Sequence, residues 1–276
     1  MKTINWLFTL IIVVVFVFIT GCSMNRSVHN KTSIMEYLYP TENEREVQPN
    51  IPTLRLPLKV GIAFVPEKSI YMKSPITETE KQLLLETVAK HFSKHQFISE
   101  IEVIPTAYLT PKGSFTNLNQ IKTMYNVDVV ALVSYDQTQF TQDTLLSLSY
   151  WTIIGAYIVP GDKNDTHTMV DTVVFDIESK SMLFRAPGTS FIKGLSTAMH
   201  SAESLREDSH KGFNQATEQM IKNLDLQLSS FKQKVKDNPA KAKIVHRPGY
   251  SGGGGGGSMF WLLPPVAFLF SIRSKQ

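Results

Sequence analysis

Val60-Gly61-Ile62-Ala63-Phe64-Val65, closed by Pro66, is a near-continuous apolar run. A strand with one solvated face alternates apolar and polar residues, whereas a strand covered on both faces does not. The run therefore predicts a strand buried on both faces. Downstream, Thr77-Glu78-Thr79-Glu80 follows Pro75 and forms a capping box, in which hydroxyl and carboxylate each satisfy an orphan backbone N–H. It opens a helix to about Lys94, with Leu84, Val88 and Phe92 on one face. Ile101, Val103 and Ile104 predict a short strand before Pro105. A second helix near Asn117 carries Leu118, Ile121 and Tyr125 on one side, and Asn126 suits its left-handed stop. Val127–Val133 is then another buried strand. The order β-α-β-α-β favours parallel strands joined by crossovers.

The second half has a different rhythm. Leu145–Val159 is long and apolar with Gly155 inside it; strand is the expectation, bent at the glycine, with a short buried helix as the alternative. On this expectation Tyr150, Trp151 and Tyr157 belong to the core. Pro160-Gly161-Asp162 turns the chain, and Val170–Ile177 and Met182–Ala186 form a hairpin through Glu178–Ser181. Ser204-Leu205-Arg206-Glu207 is a second capping box. It is expected to start a long amphipathic helix with Phe213, Ala216, Met220, Leu224, Leu228, Phe231 and Val235 inward. The expected fold class is a single α/β domain over residues 55–237, with a mixed sheet: βαβαβ, antiparallel strands, then a long C-terminal helix.

Residues 22–54 are polar, with Pro40, Pro49 and Pro52, and are expected to form a flexible tether. Residues 238–250 hold two prolines and no apolar periodicity, and are expected to be a linker. The net charge of +4 is concentrated: Lys222–Arg247 carries +5 and the remainder about −1. A chain charged this way is not a general nucleic-acid binder.

Cys22 is the only cysteine, which excludes an intramolecular disulfide and a cysteine-based metal cluster. It follows Lys2, an apolar stretch from Trp6 to Ile19 and the small residue Gly21, the layout of a secretory signal over residues 1–21. Ile19-Thr20-Gly21-Cys22 resembles the bacterial lipobox. That resemblance implies cleavage between Gly21 and Cys22 by a lipoprotein signal peptidase and lipid, palmitate included, on Cys22. Ser23 rather than aspartate then points to the outer membrane.

The opposite end reads Ser251, Gly252, Gly253, Gly254, Gly255, Gly256, Gly257 and Ser258, then the apolar segment Met259–Ile272, then Arg273 and Lys275. Its 14 apolar residues fall short of the roughly 20 a spanning helix needs, and Pro264 and Pro265 weaken it further. Residues 251–276 resemble the GlyGly-CTERM sorting signal, which implies cutting near Ser251–Ser258 by rhombosortase, a rhomboid-type intramembrane protease. With the lipobox and Tyr150–Tyr157, the chain resembles the rhombotarget lipoproteins. The resemblance implies a Gram-negative envelope protein, displayed by its lipid at the outer membrane or cell surface after passing through an inner-membrane precursor.

Signals for chemistry are sparse. His91 and His95 stand four apart on the first helix, but Phe92 occupies the place of the glutamate in a zinc-protease motif, so no metal site is expected. Asp162, Asn164, Asp165, His167 and Asp171 lack the glycine and final glutamate of a calcium loop and are expected at a polar hairpin tip. No catalytic residue and no cofactor are assigned. The expectation is a non-catalytic protein acting through an envelope protein partner. The rivals are an exported hydrolase whose site assembles only in the fold, and a small-ligand binding module with a concave apolar site.

Overall fold

The computed structural model describes residues 26–41, 50–67, 75–144 and 152–250, with Trp6, Leu146, Ser147 and Ser149 in addition. In chain order these contain β1 (Arg26–Lys31), α1 (Ile34–Leu38), β2 (Thr53–Leu56), β3 (Leu58–Phe64), α2 (Glu78–Phe92), β4 (Ile98–Val103), α3 (Ser114–Tyr125) and β5 (Val129–Asp143). There follow α4 (Ile153–Ile158), β6 (Asp162–Asp176), β7 (Ser181–Ser196), α5 (Ser201–Asp237) and β8 (Lys243–His246).

The main sheet has six strands in the order β4-β3-β5-β6-β7, with β1 also on β5. β3 is parallel to both β4 and β5, and β6 pairs antiparallel with β5 on one side and with β7 on the other. The fold is therefore α/β with a mixed sheet and a long C-terminal helix, as the pattern of elements predicts. Alternate residues of β3 serve two cores. Ile62 and Phe64 face α2 and α5, together with Val129 and Ala131 of β5. Ala63 and Val65 face α1 and α3, together with Val130 and Leu132. The Thr77 capping box forms as expected, and Asn126 ends α3 at φ 52°.

The expected flexible tether 22–54 is corrected over its described part. β1 pairs antiparallel with β5, from Arg26 opposite Thr141 to Lys31 opposite Asp136. It takes up the edge of β5 beyond the end of β3, which pairs only with Val129–Val133. α1 then buries Ile34, Tyr37 and Leu38 against the second core. Tyr37 donates to Asn117 Oδ1 at 2.8 Å, and burial pushes its phenol pKa up. The apolar residues of a short helix offset its ordering entropy only once a sheet face is there to receive them.

The linker 238–250 is corrected likewise. β8 pairs in parallel with β2, Thr53 opposite Lys243 and Leu56 opposite His246. Arg247 holds this small sheet to the body through Asp128, Nη2 to Oδ2 at 2.6 Å. The domain therefore reaches beyond 55–237 at both ends.

Three local expectations also change. Ile153–Ile158 is helix rather than strand, an ambiguity that an unbroken apolar run does not resolve; Tyr157 is exposed rather than in the core. Tyr150 and Trp151 lie outside the described residues. α5 begins at Ser201, with His200 as N-cap. The Ser204 N–H already bonds the His200 carbonyl at 3.0 Å, so the second capping-box pattern lies within the first turn. Finally, Asp162–Thr168 is no hairpin tip. It is the first half of β6, paired on both sides.

α5 covers the edge strand β7. Gln219 accepts from the Thr189 N–H at 2.6 Å, and Asn223 donates to the Pro187 carbonyl at 2.6 Å. Helix side chains thus satisfy backbone groups that an open edge would offer to another chain.

Candidate ligand cavity

α2 and α5 lie on one face of the sheet. They are linked near the start of α2 by His210–Glu80 at 2.6 Å and near its end by His91–Asp225 at 2.9 Å. Past the end of α2 the layer opens into a cavity of about 1010 Å³. Val60 and Ile62 of β3, Val129 and Ala131 of β5, and Val174 of β6 contribute to its floor. Short side chains at the sheet centre leave that volume unfilled. Phe92 and Phe97 form one wall, and Leu224, Leu228 and Phe231 of α5 form the other. The last boundary is the β2–β8 sheet, through Leu54, Leu56, Ile244 and His246, followed by Tyr250. The segments expected to be tether and linker thus supply a wall of the cavity.

The polar groups of the lining are distributed unevenly. Lys94, Lys232 and Lys236 belong to it, with His95 and His246, and no aspartate or glutamate does. Lys232 Nζ lies 4.0 Å from the centroid of the Phe97 ring, a cation–π contact. Burial, and then the neighbouring Lys236, hold the Lys232 pKa below the usual lysine value. Burial and the Lys232 and His91 charges hold His95 below the usual histidine value, against the opposing pull of Asp225. Elsewhere in the domain Lys81 is paired with Glu67 and Glu78, and Lys122 with Glu178. The arrangement can bury hydrocarbon and hold a negative charge at its rim.

The residues singled out in the sequence have other roles. His91 bonds Asp225, and His95 lines the cavity. Among the described residues no three His, Cys, Asp or Glu side chains are grouped to hold a metal. Asp162, Asn164 and Asp171 are buried and His167 is exposed, so the β6 polar residues do not converge. Asn164 donates to Ser196 Oγ at 2.9 Å, and Arg185 Nε donates to Asp171 at 2.8 Å. Cys22, Gly21 and the region Ser251–Ser258 lie outside the described residues. Among the described residues no helix is long and apolar enough to cross a membrane.

The cavity itself was missed in the sequence. Its floor residues were legible as core, but a volume left between packed layers has no signature in spacing. The one available signal was the basic run after Lys222, of which Lys232 and Lys236, both exposed, line the cavity.

No protein-family description matches the chain, and no curated protein matches it. Among solved structures, the PelC dodecamer from Paraburkholderia phytofirmans matches at 12% identity over 73% of this chain and 96% of that one, with a TM-score of 0.29. A neuraminyllactose-binding hemagglutinin homolog from Helicobacter pylori matches at 9% identity over 69% of this chain and 100% of that one, with a TM-score of 0.36. Similarities at these scores carry no argument about role.

Proposed function

We propose that this chain is a non-catalytic envelope lipoprotein whose α/β domain binds a small molecule with an apolar body. The observation that carries the binding role is the cavity of about 1010 Å³ between the sheet, α2 and α5. Its size is at the upper end of the roughly 300–1,000 Å³ of small-molecule sites, and its hydrocarbon lining with a few polar groups at one side has the composition of such sites. The envelope placement rests on the two terminal signals. Cys22, lipidated and made the N-terminal residue by removal of residues 1–21, would anchor the protein durably through several acyl chains. Cutting within or beside Ser251–Ser258 by a rhomboid-type protease would free the other end, since carrying Arg273 and Lys275 through hydrocarbon is costly. Release of that end would license outer-membrane or surface display. Tyr250, the last described residue, lines the cavity, so the processed segment begins at the edge of the binding site.

One experiment addresses both parts, because Cys22 is the only cysteine. The full chain is produced in a Gram-negative envelope and treated with an uncharged, apolar maleimide. The wild type is expected to stay unlabelled even when unfolded, because a thioether to lipid leaves no thiol. The Val174→Cys variant places one thiol on the cavity floor and is expected to label in the native state. Labelling of unfolded wild type at Cys22 would contradict lipidation. A Val174→Cys thiol silent until unfolding would contradict an accessible cavity.

A further inference from the structure

We infer that the molecule held in the cavity is an anionic amphiphile with one hydrocarbon chain, its acidic head held at the rim by Lys94, Lys232 and Lys236. This rests on the proposed binding role and specifies the ligand. The floor and both walls are hydrocarbon apart from the Thr172 hydroxyl, which donates to Met220 Sδ at 3.2 Å, so they select a chain over a polar ligand body. Every charged side chain in the lining is a lysine. Asp225, the acid that pulls on His95, is engaged by His91 at 2.9 Å. Lys232 rests on the Phe97 ring rather than on a carboxylate. Among the described residues none of Lys94, Lys232 and Lys236 forms an ion pair. Clustered cations at the rim of an apolar cavity repel one another until an anion enters. A carboxylate or phosphate there would accept charge-assisted hydrogen bonds from them. Burial first, and then neighbouring lysine charge, holds the Lys232 and His95 pKa values below their usual ranges. A neutral lipid would leave the rim uncompensated, and a cationic one would add to the repulsion.

The test uses three photoreactive probes with the same diazirine-bearing hydrocarbon chain and different heads: a carboxylate, an alcohol and an amine. Each is added to envelope membranes containing the full-length chain, without cofactors for acyl transfer, and crosslinked peptides are mapped. The carboxylate probe is expected to label Val88–Ile98 and Leu224–Lys236, on the order of tenfold or more above the alcohol, with the amine lowest. Combining Lys94→Gln, Lys232→Gln and Lys236→Gln is expected to bring carboxylate labelling down to the alcohol's level while leaving alcohol labelling unchanged. Equal labelling by carboxylate and alcohol in the wild type would overturn the anionic head and leave the binding role standing. Absence of cavity labelling by all three probes would overturn both.

Discussion

Gly188→Ala is expected to destabilise the protein by about 3 kcal/mol, near the upper end of the usual range for overpacking a core. Gly188 lies on β7 directly beneath α5. A Cβ there would stand 2.0 Å from the Ala216 carbonyl oxygen and 2.4 Å from the Met220 backbone nitrogen. The obstacle is backbone, so no rotamer change relieves it, and α5 must lift from the sheet. That helix also anchors Gln219 and Asn223 to the backbone of β7 and buries Phe213, Ala216 and Met220. A loss of about 3 kcal/mol is a large part of the roughly 5–15 kcal/mol typical of a domain. It should lower the thermal midpoint by roughly 6–12 °C for a protein of this size. Gly249→Ala is the control: its φ is +85° and nothing lies within 4 Å, so only about 1 kcal/mol of backbone strain is expected. Equal midpoint shifts in the two variants, followed by circular dichroism, would show that α5 does not sit where the structure puts it.

The second large effect is expected from Leu38→Asp. Leu38 is 0% exposed and lies in the core shared by α1, α3 and the sheet. Truncating a buried leucine costs about 2–5 kcal/mol, and an unpaired carboxylate adds a desolvation penalty. A drop of at least about 3 kcal/mol in unfolding free energy, read as a shift of the urea midpoint, is the expected outcome. Met35→Asp, at a neighbouring position 60% exposed, should stay within about 0.5 kcal/mol of the wild type. If residues 26–38 were a flexible tether, both substitutions would be silent.

These two variants mark where the sequence was legible and where it was not. Val60–Val65 and Val127–Val133 announced themselves because both faces of β3 and of the first half of β5 are covered, so neither strand needs a polar side. Thr77 and Asn126 marked helix ends because capping is local chemistry. β1 and β8 could not be found this way. Each is a short edge segment whose hydrogen bonds go to a strand far away in sequence, and most of their side chains are exposed.

The second half of β5 and the first half of β6 failed for a different reason. Their interior face is polar: Gln137 donates to Thr168 Oγ1 at 2.7 Å, and Gln139 donates to the Leu205 carbonyl at 2.8 Å and to Ser209 Oγ at 3.1 Å. Buried polar groups with partners satisfy the energetic requirement of a core while breaking the apolar pattern by which cores are recognised. The candidate site falls between these cases. Its hydrophobic residues were legible one by one, yet their failure to fill the space between α2 and α5 is a property of the assembled layers. Its basic rim was visible as charge but not as the edge of a cavity, because residues 94–97 and 232–236 meet only in the fold.

Native mass spectrometry of the full chain, purified from cells that produce it, reads the occupant of the cavity directly. A fraction carrying one small molecule per chain is expected, with loss of that mass in Ala131→Phe, which fills the cavity floor while circular dichroism verifies the fold. A chain that never carries such a molecule, or an adduct that persists unchanged in folded Ala131→Phe, would contradict the binding role.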